Sequence, residues 1–224
     1  MSPRRYEMKG RRSAVAETRQ RIVEATLKLH GQRGIFGTTW QDIAREADVS
    51  LGTVYKHFPT LDELVPACGD LLMLRTRPPS PESVGEIIGG AKDPRERLRR
   101  VAAELFAFYA RGGRHLESDL RERELPAVRE WEAHLSAMVT GFVGEALVDR
   151  HLGDEAIGQI SFLFDLPTYN AMRARGIDPQ TGAEIASGMT MCWIERLDRQ
   201  EPEGEGGGGR TDRRSKRQAS KRRK

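Results

Sequence analysis

The chain has 224 residues, 38% hydrophobic and 31% charged, enough apolar content to fill one large domain or two small ones. Its net charge of +4 is uneven: residues 1–61 carry 11 Lys/Arg and 6 Asp/Glu, residues 62–209 carry 17 and 26, and residues 210–224 carry 9 and 1. No run approaches the ~18 apolar residues of a membrane span, the start MSPRRYEMKGRRS lacks the apolar segment of a secretory signal, and Cys68 and Cys192, far apart, read as reduced, buried small hydrophobes of a cytoplasmic protein.

Strand signals are scarce and helical periods plentiful, so the chain reads as all-α. Residues 1–17 are expected as a basic N-terminal arm. A first helix spans Thr18 to Arg33, with Ile22, Ala25 and Leu29 on one face and Gly34 as its C-terminal cap. A second spans Thr39 to Ala47, with threonine at its N-cap, and a third starts at Ser50 and runs to His57. Thr60 and Glu63 have capping-box spacing and open a fourth helix towards Leu74. Prolines 78, 79 and 81 make the next segment a loop. Asp93-Pro94 opens a helix carrying Leu98, Val101, Ala102, Leu105, Phe106 and Tyr109 at 3/4 spacing, ended by Gly112-Gly113. A short helix near 115–123 precedes a long one from Pro126. Two more are expected over 154–175, kinked at Pro167, and over 180–198. From residue 199 the chain turns Gly-rich and then basic, a composition expected to stay disordered to residue 224.

The spacing from Thr39 to Phe58 is that of a helix-turn-helix, two short helices joined at Asp48-Val49-Ser50. Ile43, Ala47, Val49, Val54 and Phe58 make one apolar seam. Leu51, Gly52, Thr53, Tyr55, Lys56 and His57 are left on or near the outer face, the division a groove-reading helix needs. Gly52 costs about 1 kcal/mol against alanine in a helix, which is accounted for if a phosphate or base edge comes close to its bare backbone. Thr38 and Thr39 offer hydroxyls and N–H groups at the start of the second helix, an anion site. With Trp40 and Ser50, these are the candidate DNA-binding residues. Each also admits a purely structural role: Tyr55 as packing for the first helix, His57 as a seam histidine.

Residues 18–66 resemble the N-terminal domain of TetR-family transcriptional repressors. The matching pieces are Arg33-Gly34, Gly37-Thr38-Thr39, Asp42-Ile43-Ala44 with Ala47, Val49-Ser50, Gly52-Thr53-Val54-Tyr55 and His57-Phe58. The resemblance covers about a fifth of the chain. It implies a helix-turn-helix domain over 18–61 and a helical ligand-binding and dimerisation domain over 62–198. It also implies a homodimer on a palindromic DNA operator, and release by a small-molecule inducer whose identity it does not give. In the family the residues matching Thr39, Leu51, Gly52, Thr53, Tyr55, Lys56 and His57 touch DNA, and the last two helices carry the dimer seam. Two departures stand out: Leu61 where a lysine is common, and His30 where an aromatic is usual.

In the larger bundle, the candidate ligand-lining residues are Phe106, Tyr109, His115, Trp131, Leu135, Met138, Phe142, Phe162 and Tyr169. Most also fit a plain core at helical spacing. The five histidines show no metal-ligand spacing, and no cofactor is expected. Nucleophile-elbow, zinc-protease and P-loop motifs are missing. A G-x-G-x-x-G at Gly204, Gly206 and Gly209 lies in a polyglycine run with no strand before it. The reading is therefore a ligand-responsive DNA-binding regulator, not an enzyme. The alternative is a DNA-binding regulator without a small-molecule ligand, and a helical enzyme ranks below both.

Overall fold

The computed structural model describes the backbone of residues 3–200 and the side chains of residues 13–199. The tail expected beyond Arg199 lies, from residue 201, outside the described residues. Those residues form ten α-helical segments and short 3-10 turns, with no strand among them. No helix among them is long and apolar enough to cross a membrane. Residues to Met191 group as one compact unit and those from Cys192 as a second.

Helix α1 spans Pro3–Arg33, starting well before Thr18. The Arg-, Glu-, Met- and Ala-rich sequence ahead of Thr18 is made of good helix formers, so the expected arm is helical backbone from Pro3. Thr18 is no cap: its hydroxyl donates to the Ala14 carbonyl at 2.9 Å. The helix stops at Gly34, whose φ of +78° suits glycine.

Helices α2 (Trp40–Glu46) and α3 (Leu51–His57) follow with side-chain caps of their own. Thr39 and Asp42 form a capping box, and the Ser50 hydroxyl accepts the Thr53 N–H at 3.1 Å. Asp48 turns the chain between them at φ +52°, a left-handed value that Asp tolerates better than most residues. Ile43, Ala44, Ala47, Val54 and Phe58 are buried together with the α1 residues Ile22 and Ala25. The Arg19 guanidinium sits 4.6 Å over the Phe58 ring and fastens α1 to the end of α3.

Helix α4 (Leu61–Thr76) packs along α1 through Leu64, Cys68 and Leu71. Thr60 has the extended backbone of an N-cap but makes no side-chain capping bond, so the box expected with Glu63 does not form. The proline-rich loop contains a 3-10 turn (Pro81–Ser83) and a short α5 (Val84–Ile88) that the sequence did not announce.

Helix α6 (Pro94–Gly112), N-capped by Asp93, is the centre of the first unit: Leu98, Val101, Ala102, Leu105, Phe106, Phe108 and Tyr109 are all buried. Arg111 on its last turn donates to the Thr76 and Arg77 carbonyls at 2.9 and 3.1 Å, satisfying the orphan end of α4. Two 3-10 turns, Gly113–Leu116 and Glu122–Glu124, replace the expected helix near 115–123 and lead into α7 (Pro126–Ala146).

The expected helix over 154–175 is two helices: α8 (Asp154–Ser161) and α9 (Leu166–Arg173), separated by a 3-10 turn at Phe162–Phe164. The Asp165 carboxylate accepts the Thr168 N–H at 2.9 Å and caps a fresh start, so Pro167 sits in a first turn, where its missing N–H costs nothing. The last helix, α10 (Pro179–Gln200), meets α6 and α9 at Gly182. A Cβ there would lie 3.1 Å from the Met172 sulfur and 3.2 Å from the Phe106 ring. In the second unit Cys192 is exposed, against the expectation of burial, while Cys68 is buried as expected.

Candidate nucleic-acid interface and bundle cavity

The surface presented by α3 follows from its seam. With Val54 and Phe58 turned inward, Leu51 (40% exposed), Gly52, Tyr55 (43% exposed) and Lys56 face solvent, and Thr53 and His57 are half-buried beside them. A Cβ built on Gly52 would meet only the Ser50 hydroxyl, at 3.9 Å. Nothing inside the protein requires a glycine there. Gly37 is the opposite case: its Cβ would lie 2.2 Å from the Arg33 carbonyl oxygen, so the α1–α2 turn itself demands it.

Several hydroxyls are already engaged. Ser50 and Thr53 share a hydrogen bond at 2.8 Å, which leaves one of the two protons spoken for. Thr38 donates to the Gly34 carbonyl at 2.9 Å and is half-buried. At the start of α2, where an anion site is expected, the carboxylate of Asp42 accepts the Thr39 hydroxyl at 2.7 Å and the Thr39 N–H at 3.3 Å. These bonds, with Arg33 and Arg45 beside it, hold the Asp42 carboxyl below the usual range. The Thr39 hydroxyl and N–H are thus committed to Asp42, whose carboxylate adds negative charge beside that helix end.

Trp40 opens α2 with its ring centroid 5.1 Å from that of Tyr55, the planes tilted by 33°. The sequence named both residues but gave no signal that they touch.

The α1–α2 turn is also held from the bundle. Glu122, buried between its two N–H donors, accepts the Ile35 N–H at 2.5 Å and the Asp119 N–H at 3.0 Å. Next to it, the Arg121 guanidinium lies 4.1 Å over the Phe36 ring. A charged residue in a polar run carried no sign of this role.

A cavity of about 360 Å³ opens beside that clamp. It lies between α1, α4 and α7, with Leu72, Val128 and Trp131 among its apolar walls and His30, His115 and His134 among its polar ones. His115 reaches across to α1, where a Cβ on Gly31 would lie 2.2 Å from its Nε2. Burial, and secondarily His115, hold the His30 imidazole down at about 4, so it is neutral near pH 7. Trp131 also walls a second cavity of about 520 Å³ with Leu135. Of the nine candidate ligand residues, His115, Trp131 and Leu135 therefore reach these cavities. Phe106, Tyr109, Phe142 and Tyr169 are instead core. The rings of Phe106, Tyr109 and Tyr169 stack 5.4–6.2 Å apart, and the Tyr109 hydroxyl donates to the Phe164 carbonyl at 3.1 Å. Burial pushes the Tyr109 phenol above its usual range. Phe162 is 58% exposed, and Met138 is half-buried away from these cavities.

Residues 22–68 match the family model of bacterial regulatory proteins, tetR family. The regulator BetI of Burkholderia cenocepacia is 33% identical over 93 residues, 39% of this chain and 44% of its own. TtgR of Pseudomonas putida is 45% identical over 56 residues, 25% and 27% of the two chains. The chain thus spans less than half the length of these curated relatives. Among solved structures, a transcriptional regulator from Rhodococcus sp. RHA1 aligns with a TM-score of 0.57 at 18% identity, covering 80% of this chain and 96% of that one. The multidrug binding protein EbrR, complexed with imidazole, aligns with a TM-score of 0.52 at 23% identity over 76% and 93%. These likenesses extend the shared all-helical fold through the bundle.

Proposed function

This chain is a TetR-family protein with an N-terminal helix-turn-helix domain, and from that premise we propose that it binds a palindromic DNA operator as a homodimer and is released by a small organic effector. The observation that carries the reading is the outer face of α3. It holds an exposed Tyr55 and Lys56 around Gly52, which no contact inside the protein requires. A helix of that kind suits a major groove about 12 Å wide. Lys56 and Tyr55 serve phosphates, and Leu51 has the apolar side chain to press on a thymine methyl.

Dimerisation is supported by Phe162 and Met189, large apolar side chains 58% and 54% exposed in the last third of the chain. Effector control is supported by the cavity between α1, α4 and α7. Its wall residue Glu122 holds the Ile35 N–H, so an occupant presses on the same segment that sets the α1–α2 turn. A ligand preferring one arrangement of that turn shifts the dimer towards it, and a coupling of ~1–3 kcal/mol loosens DNA about 5- to 150-fold. Repression, rather than activation, follows the family's habit.

Selection of bound sequences from a random DNA pool tests the reading. The expected result is a two-fold symmetric site whose affinity falls steeply with salt. Recovery of no enriched sequence, or a salt-independent affinity, would overturn it.

A further inference from the structure

We propose that the cavity between α1, α4 and α7 takes an organic cation with a flat aromatic body, held against Trp131 and drawn in by Asp70 and Glu130; the proposal deepens the effector reading above and rests on it. Four carboxylates line the cavity, Asp70, Glu117, Glu122 and Glu130, against a single guanidinium, Arg114. Two of the four are committed elsewhere. Glu117 accepts Arg173 at 2.7 Å, and Glu122 accepts the two backbone N–H groups already described. Asp70 on α4 and Glu130 on α7 are exposed and make no hydrogen bond or ion pair among the described residues. His30 does not offset them, because burial holds its imidazole neutral near pH 7.

The apolar part of the wall sets the shape. Trp131 is half-buried and lines the space, as do Leu72, Met73 and Val128. An indole face attracts a cation by its quadrupole, most strongly where water is thinned out. A cavity of about 360 Å³ has room for a three-ring aromatic. An anion of the same shape would face an excess of negative charge and lose its water for no return. A neutral molecule would keep the apolar contact and lose the charge term.

Three tricyclic probes of nearly equal size separate these cases: N-methylacridinium, acridine (uncharged at pH 8) and anthracene-2-carboxylate. Each is titrated by calorimetry into the full-length chain at pH 8 without DNA. The expected order is cation first by about tenfold or more, then acridine, with the carboxylate weakest. Asp70→Asn combined with Glu130→Gln should remove most of the cation's advantage and leave acridine unchanged. Trp131→Leu should weaken both, the cation more. Circular-dichroism melting of each variant separates a lost site from a lost fold, and the two surface amides are isosteric with the residues they replace. Equal affinities, a carboxylate preference, no binding of any probe, or cation binding untouched by the double substitution would each overturn the proposal. The DNA selection is read independently. An enriched operator with a failed titration sinks only the ligand class, whereas cation binding with no operator sinks the regulator reading and leaves the site.

Discussion

Trp40 and Tyr55 stack across the helix-turn-helix, ring centroids 5.1 Å apart. Tyr55 is 43% exposed, and a phenol that exposed has several rotamers open to it unless a neighbour limits them. The indole is that neighbour, so its role is to position Tyr55. Trp40→Ala is expected to weaken operator binding about 2- to 12-fold, the ~0.5–1.5 kcal/mol of an aromatic pair. Trp40→Phe should recover most of it. Fluorescence anisotropy with labelled operator at fixed salt reads both; an unchanged Kd for the alanine variant would show that Tyr55 orients itself.

Two glycines of the helix-turn-helix region, Gly37 and Gly52, should respond to alanine in opposite ways. At Gly37 the new Cβ would collide with the Arg33 carbonyl, and the fold should lose stability. At Gly52 it would make only an ordinary contact with the Ser50 hydroxyl, and the fold should gain up to about 1 kcal/mol from better helix propensity. The same Gly52→Ala change should loosen DNA. Urea midpoints and operator affinity, measured on both variants, check the pair; tighter DNA binding by Gly52→Ala would show that the helix does not approach the duplex at that point.

Glu122 accepts one backbone N–H on each carboxylate oxygen, from Ile35 and Asp119. Gln at this position offers one oxygen and turns an amide N–H towards a second N–H. Glu122→Gln should cost ~1–3 kcal/mol and speed hydrogen exchange at the Ile35 amide. Unaltered exchange there would mean that the turn is held by other contacts, the Arg121–Phe36 stack foremost.

His30 gives stability a pH dependence with a definite sign. Its folded pKa, about 4, is below the unfolded 6.5, so between those values the unfolded chain binds a proton that the folded chain refuses. Stability contributed by the neutral imidazole is full above about pH 6.5, falls as pH drops towards 4, and levels below. The loss amounts to about 3 kcal/mol at most. His30→Phe removes the term. Urea midpoints at pH 7 and pH 5 should differ less in the variant than in the parent; an equal difference would assign the pH dependence to other groups.

The helix-turn-helix was legible because its signals are local. Thr39 and Ser50 cap, Gly34 terminates, and the seam of Ile43, Ala47, Val54 and Phe58 follows the helical period. The bundle was legible as helices but not as a site. Periodicity reports which residues are buried, and Phe106, Tyr109 and Tyr169 are buried by one another rather than around a space. The cavity lies instead where three helices that are distant in sequence diverge, and no pattern within any one of them marks it. Pro167 was read as a kink because the competing cap, Asp165, became visible only as a hydrogen bond to Thr168. Helix α1 starts before Thr18 because the residues ahead of it are helix formers with nothing to end the helix there.

The bonds from Arg111 to the Thr76 and Arg77 carbonyls fix where α4 can give way. A helix moored at its tail swings about the mooring instead of sliding along its axis. Sixteen residues make an arm of about 24 Å, so a swing of about 3° carries the Leu61 end through about 1.3 Å. That end adjoins Phe58 and α3, and a displacement of that size exceeds the roughly 0.5 Å range over which a hydrogen bond to a phosphate holds. The oarlock of this molecule is a single guanidinium on α6.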